Sequence, residues 1–282
     1  MDELAAILAI LAAASFALAA TLWQRASMSR GLGPGDTKAM VGLLTSGVWL
    51  LGLGAQTLGV ALQAAALDRG RVAIIQPLLV TSIVWALPLG YFLTQQVVNR
   101  RHVAGAGIIV VGLATFASVG DPAAGVDNAP TSDWISALLV IGVICLALML
   151  FAGRGGPGVR AAVLGATAGI LYGVSATLMK PVVEEWHANG LAEVLAGWQL
   201  WVMALGGIVG FYFQQLSLAT GRLVTSVATV SVANPVVSVM LGALVLQERL
   251  DKTPEWHAVV AVGALAAALL GAIIIASASE KD

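Results

Sequence analysis

Charged side chains are missing from long stretches of this 282-residue chain, because Asp, Glu, Lys and Arg fall between apolar runs. An uncharged apolar stretch of roughly 18 or more residues is long enough to cross the ~30 Å hydrocarbon core of a bilayer as a helix. A helix on the surface of a soluble protein would instead carry polar residues along one face. The pattern therefore predicts an all-α integral membrane protein with about nine transmembrane helices. The uncharged runs are 4–24, 39–67, 72–99, 103–120, 134–153, 161–179, 194–221, 223–247 and 258–279.

Composition narrows the classes of function. The hydrophobic fraction is 59% and the charged fraction is 10%, against roughly 45–50% and 25% in soluble proteins. A net charge of −1 argues against a nucleic-acid partner. The single cysteine, Cys145, excludes a disulfide within the chain. The runs contain no nucleophile–base set, acidic pair, metal cluster or P-loop, so we predict no enzyme activity, no cofactor and no metal site.

The distribution of basic residues predicts the orientation of the chain. With the N-terminus outside, nine Lys and Arg residues fall on the inside and five on the outside. Cytoplasmic loops carry the excess of positive charge, so we predict a cell-membrane protein with its N-terminus outside and its C-terminus inside. The loop 121–133 contains three Asp and no basic residue, which fits an outside position.

The same loop divides the chain near its middle. Its Pro, Asp, Asn and Gly residues are typical of a turn and do not continue a helix. We predict a first four-helix repeat in 1–120, a connector helix in 134–153 and a second four-helix repeat in 154–282. An advance of five helices is odd, so the second repeat would cross the membrane in the opposite sense to the first.

Recurring residues support two repeats. Ala20-Thr21-Leu22 recurs as Ala176-Thr177-Leu178, at an offset of 156. A second set recurs at an offset of 151. Its pairs are Gly59 with Gly210, Gln63 with Gln214, Leu67 with Leu218, Gly70 with Gly221 and Arg71 with Arg222. Inverted repeats are common in secondary transporters, where the substrate site lies between the repeats near the midplane.

The stretch 218–250 resembles the penultimate helix of the drug/metabolite transporter (EamA-like) superfamily. The matching residues are Asn234-Pro235, Gly242, Leu244, Leu246, Glu248, Arg249 and Leu250. This resemblance implies a secondary transporter that moves a small organic solute, a metabolite or drug-like compound, by alternating access.

The order of nine spans and the charged central loop resemble NIPA-type magnesium transporters, a nine-helix branch of that superfamily. This implies magnesium or another divalent cation as an alternative substrate. The stretch that reads Gly-Leu-Gly-Glu in that branch is Gly52-Leu53-Gly54-Ala55 here, without the acidic residue. A third alternative, from another class, is a membrane scaffold that transports nothing and forms a fully packed bundle. A homo-oligomer is compatible with all three.

Polar side chains inside the runs are the candidate site residues, because an amide facing hydrocarbon is costly without partners. The candidates for substrate binding are Gln56, Gln63, Gln76, Tyr172, Gln214 and Asn234. Their alternative role is hydrogen bonding between helices, worth about 0.6–2 kcal/mol each. Prolines within spans remove a backbone donor and are candidates for hinges or broken helices. They are Pro77, Pro88 and Pro235.

Two further patterns predict packing and anchoring. Gly165, Gly169 and Gly173 share one helical face, which favours close approach of a second helix. Three tryptophans lie near the ends of runs and are typical of anchors at the membrane–water interface. They are Trp134, Trp186 and Trp256.

Overall fold

The structure, a computed structural model, describes residues 3–29, 37–69, 78–119, 129–247 and 255–278. The described residues form helices and short connections, with no strand among them. The helices are α1 Glu3–Ser29, α2 Thr37–Leu44, α3 Gly47–Arg69, α4 Ser82–Thr94, α5 Arg100–Val119, α6 Thr131–Ala152, α7 Pro157–Asn189, α8 Leu191–Ala196, α9 Trp198–Ala219, α10 Leu223–Leu244 and α11 Glu255–Ala278.

Several of these helices are long and apolar enough to cross a membrane. Within the described ranges six qualify by length and composition, in α1, α6, α7, α9, α10 and α11. Two shorter apolar helical stretches, 47–63 and 78–94, lie in the first half. The prediction of an all-α membrane protein is therefore confirmed, while the number of nine spans stays a prediction.

Local chemistry explains where some helices begin and end. Asn99 precedes α5, and its Oδ1 accepts hydrogen bonds from the backbone N–H groups of Arg101 (2.9 Å) and His102 (3.1 Å). Such a cap satisfies donors that the first turn of a helix leaves free. Pro157 begins α7, where its missing N–H costs nothing. Gly190 ends α7 with φ +85°, a conformation that favours glycine.

Glycines allow the helices of each half to pack closely. In the first half, a Cβ at Gly59 would lie 2.5 Å from the ring of Phe16, so α3 lies directly on α1. In the second half, a Cβ at Gly210 would lie 3.0 Å from the ring of Tyr172, so α9 lies on α7 in a similar way. Small residues at such crossings are the usual means of helix association in membranes.

The predicted glycine face on α7 is confirmed as a packing surface. A Cβ at Gly165 would meet the Thr229 hydroxyl, and one at Gly169 would lie 2.8 Å from the carbonyl oxygen of Val230. A Cβ at Gly173 would lie 2.8 Å from the carbonyl oxygen of Asn234. The backbones of α7 and α10 are therefore in contact over about two turns.

The two halves join most extensively through α5 and α11. A Cβ at Gly271 would lie 2.7 Å from the carbonyl oxygen of Gly105, and a Cβ at Gly105 would lie 2.8 Å from that of Gly271. Further along α5, Gly112 faces the backbone of Ala264 and Ala268. These contacts leave no room for a side chain, so the pair holds the two halves together.

A second junction lies at one end of the bundle, where α1, α4 and α9 end and α7 and α10 begin. We call it the Gln215 end. Here the core cluster that contains Trp23 draws residues from both halves, including Leu216 and Leu223. Nearer the N-terminus of α1, Ala9 belongs to a cluster whose members all lie in the first half. α1 therefore reaches the second half with its C-terminal part.

The three predicted tryptophan anchors differ in exposure. Trp186 and Trp256 are each 58% exposed, and their position at the interface stays a prediction. Trp134 is fully buried, and its ring lies 6.1 Å from that of Trp198. The prediction for Trp134 is wrong because the side chain lies in a core cluster with residues of α7, α9 and the end of α10.

Candidate functional site

Two of the predicted binding residues meet between α7 and α9. The Tyr172 hydroxyl donates a hydrogen bond to Gln214 Oε1 at 2.7 Å. Both side chains are partly buried. Gly210 lies one turn before Gln214 on α9, and its lack of a side chain leaves room for the Tyr172 ring. The hydrogen bond therefore fixes the orientation of the Gln214 amide between α7 and α9.

The other predicted amides that the structure describes lie on α3 and α10. Gln56 and Gln63 are partly buried on α3, beside the glycines that face α1. Asn234 lies on α10, where the Ser238 hydroxyl is 3.4 Å from Asn234 Oδ1 and 3.3 Å from the carbonyl oxygen of Gly173. Asn234 therefore takes part in the α7–α10 contact. Gln76 lies outside the described residues.

The prolines do not coincide with broken helices where they are described. Pro88 lies within α4 and Pro235 within α10, and both helices continue through them. Each proline still removes one hydrogen bond from its helix, so a hinge role for them stays a prediction. Pro77 lies outside the described residues, as do Glu248, Arg249 and Leu250 of the superfamily-like motif.

Reasoning from sequence missed a buried polar cluster at the Gln215 end. Gln24, Ser27 and Gln215 are all fully buried. Ser27 Oγ lies 3.4 Å from Gln215 Oε1, which joins α1 to α9. Among the described residues, neither amide atom of Gln24 has a hydrogen-bond partner, and Gln215 Nε2 has none. The only sequence signal was an amide at the end of one apolar run, Gln24, and a second amide, Gln215, inside another.

Three more polar contacts lie at the same end. Gln96 Oε1 accepts a hydrogen bond from the backbone N–H of Leu223 at 3.0 Å, so a first-half residue caps the start of α10. Ser217 Oγ donates to the carbonyl of Ala161 at 2.7 Å and lies 2.7 Å from Ser226 Oγ. The ends of α4, α9 and α10 are thus joined to one another through buried side chains.

An aromatic cluster lies beside these amides. The ring centroids of Trp23 and Phe211 are 5.3 Å apart, and Trp49 lies 6.1 Å from each of them. Trp23 Nε1 donates to the carbonyl of Trp49 at 3.2 Å. Rings at these distances touch one another, so the cluster packs α1, the start of α3 and α9 together.

An apolar groove of about 430 Å³ lies elsewhere, between α6, α7 and α10. Its lining includes Ile141, Ile170 and Leu241, all from the second half, and none of the predicted binding residues. It is not the predicted cavity between two repeats. In the part of the chain that the structure describes, no three His, Cys, Asp or Glu side chains are grouped so that they could hold a metal ion.

Helices of this length and composition define an all-α, multi-pass membrane protein. The chain is similar to an uncharacterized protein of Corynebacterium glutamicum, with 28% identity over 220 residues, which is 78% of this chain and 76% of the relative. No family model matches the chain. No solved structure matches it significantly.

Proposed function

We propose that the chain is a secondary membrane transporter that moves a small organic solute by alternating access. In this proposal nine spans form two inverted four-helix repeats joined by α6. The observation that carries it is a contact that occurs in both halves. Phe16 corresponds to Tyr172 at the offset of 156, and Gly59 corresponds to Gly210 at the offset of 151. In each half the ring covers the glycine.

One further parallel supports the repeats. Outside glycine, the described residues contain two positive φ values, at Gln95 (57°) and Gln247 (53°). Gln95 follows α4, the last helix but one of the first half. Gln247 follows α10, the last helix but one of the second half.

The chemistry of the spans favours an organic solute. A hard divalent cation is usually bound by carboxylate, carbonyl or water oxygens. The candidate side chains include no carboxylate. They are neutral amides and a phenol, which pair readily with neutral or zwitterionic groups. Of the predicted binding residues that the structure describes, Tyr172 and Gln214 are joined by a hydrogen bond of 2.7 Å. We propose that Gln214 contacts the solute and that Tyr172 orients it.

Flux into proteoliposomes tests the proposal. A panel of amino acids, amines, nucleosides, drug-like cations and Mg²⁺ would be screened first by thermal shift, because a ligand that binds the folded state stabilises it. We expect saturable uptake of at least one organic class. Gln214→Ala should weaken binding about fivefold, as the loss of one hydrogen bond predicts.

Ser118→Ala is the matched control, because Ser118 is exposed and bonds only within α5. It should leave uptake unchanged. Uptake of Mg²⁺ alone would contradict an organic substrate. An absence of saturable flux for every class would contradict transport and favour a scaffold.

A further inference from the structure

The described lining of the apolar groove between α6, α7 and α10 contains one charged side chain, Asp133. Asp133 lies in the first turn of α6, and the lining continues along that helix as far as Ile144. These two residues are eleven positions apart, which is about 16 Å of helix at about 1.5 Å per residue. One leaflet is half of the ~30 Å hydrocarbon core. The groove is therefore about as long as one leaflet is deep.

The charged end of the groove lies at an end of the bundle. Trp134, next to Asp133, packs with Val245 just beyond α10. At the other end of the groove, Ile144 and Ile170 lie near the middles of α6 and α7. A helix that crosses a bilayer has its ends near the headgroups and its middle in hydrocarbon. The groove therefore runs from the level of the headgroups towards the centre of the membrane.

The Asp133 carboxylate is half-buried and has no cationic partner among the described residues. Its Oδ1 accepts a hydrogen bond from the hydroxyl of Ser132 at 3.2 Å. A carboxylate in the first turn of a helix is favoured by the helix dipole, which explains why it is tolerated there. The dipole does not explain why it ends an apolar groove. Such a groove is complementary to a molecule that has an alkyl tail and a cationic head.

A simple amine fits this lining better than a phospholipid. The phosphate of a phospholipid would lie beside the Asp133 carboxylate, where like charges repel. The described lining has no Lys or Arg that would bind the phosphate. The ammonium of an alkylamine donates a charge-assisted hydrogen bond to a carboxylate and brings no negative charge. The groove volume of about 430 Å³ lies within the roughly 300–1,000 Å³ of pockets that hold one small molecule.

We propose that this groove binds an amphiphilic amine dissolved in the leaflet on the Asp133 side. The ammonium lies on Asp133, and the alkyl tail follows Ile141 and Leu241 towards the centre of the membrane. Val140 and Leu244 belong to the lining and are more than half exposed, so the ligand enters sideways from lipid. The site is separate from the Tyr172–Gln214 pair and does not depend on transport.

Photolabelling of the full chain in phosphatidylcholine vesicles tests the proposal. The probe is dodecylamine with a diazirine at the end of its tail, and the matched probe is dodecanesulfonate with the same diazirine. Peptide mass spectrometry measures the label on Ile144 and Val237 relative to the label on α11, which takes no part in the described groove. We expect the amine to label the groove about tenfold more than the sulfonate, as one charge-assisted hydrogen bond predicts. Equal labelling by the two probes would overturn the proposal.

Asp133→Asn keeps the shape of the side chain and removes its charge, so the preference for the amine should disappear. Glu193→Gln is the matched control. Glu193 lies in the first turn of α8, at the same end of the bundle, but outside the groove. This variant should keep the preference for the amine. A preference that survives in Asp133→Asn, or one that Glu193→Gln also removes, would show that Asp133 does not bind the ammonium.

Val140→Trp tests the groove independently of its charge. A tryptophan at this position narrows the groove and should lower the amine label on Ile144 several-fold. Val143→Trp is the matched control, because Val143 is 67% exposed, close to the 60% of Val140, and lies outside the lining. Equal labelling of the two variants would place the amine elsewhere on the protein.

Competition identifies the occupant. Unlabelled dodecylamine should displace the amine probe, whereas phosphatidylethanolamine at the same mole fraction should not, because its ammonium comes with a phosphate. Equal displacement by the two compounds would refute a site for amines and assign the groove to ordinary phospholipid. None of these measurements needs flux of a solute, so failure of the proposed transport leaves the groove site untouched.

Discussion

The contact between α5 and α11 predicts a large difference between two glycines of the same helix. A Cβ added at Gly112 would lie 2.7 Å from the carbonyl oxygen of Ala264 and 3.1 Å from the backbone nitrogen of Ala268. A Cβ added at Gly107 would meet nothing within 4 Å. Gly112→Ala should therefore destabilise the protein, and Gly107→Ala should not.

The magnitude follows from the geometry. A carbon rests about 3.3 Å or more from a carbonyl oxygen, so the helices would have to part by about 0.6 Å at Gly112. Overpacking of a tight contact costs about 1–3 kcal/mol. Both substitutions gain up to about 1 kcal/mol of helix propensity. We expect Gly112→Ala to be about 1–3 kcal/mol less stable than Gly107→Ala.

Unfolding in mixed micelles by titration with SDS measures this difference directly, since both variants share one denatured state to a good approximation. The midpoint for Gly107→Ala should equal or exceed that of the unmodified chain. Equal stability of the two variants would refute the close approach of α5 and α11. A loss at Gly107 as large as that at Gly112 would show that neither effect depends on the partner helix.

Three other predictions follow, two from single polar contacts and one from the distribution of charge. Tyr172→Phe should cost about 0.5–1.5 kcal/mol in the same titration by removing the hydrogen bond to Gln214; an unchanged midpoint would contradict that bond. Asn99→Ala should cost about 0.5–2 kcal/mol because it removes the cap of α5, while Ser118→Ala at the other end of that helix should cost less. A fluorescent protein fused after the C-terminus should fluoresce and an alkaline phosphatase fused there should be inactive, because the excess of Lys and Arg predicts an inside C-terminus. The opposite pair of results would reverse the orientation.

The sequence was sufficient for the class of fold because the bilayer imposes one rule on every span. Uncharged runs of this length become helices in lipid whatever their detailed order. The glycines of α7 were also predictable as a packing surface, since three small residues on one face have few other uses. Trp134 was not, because a tryptophan at a helix end is buried or interfacial according to what lies beside it.

The candidate site was only partly predictable. Gln214 and Tyr172 were singled out separately, and the structure joins them at 2.7 Å. Their contact depends on the crossing of α7 and α9, which Gly210 sets and which spacing along one helix does not reveal. Gln24 and Gln215 were missed as a cluster because they are buried only where α1 of the first half meets α9 of the second half. The sequence does not reveal that contact.

The slight burial of α6 has an evolutionary consequence. Only 6% of its most apolar 18-residue stretch is buried, against 56% for α7. Lipid accepts almost any apolar side chain, whereas a glycine face accepts few substitutions. Homologues should therefore diverge freely along α6 beyond Trp134 and change little along α7. The sequence of α6 should therefore be a poor guide for recognising homologues, and that of α7 a good one.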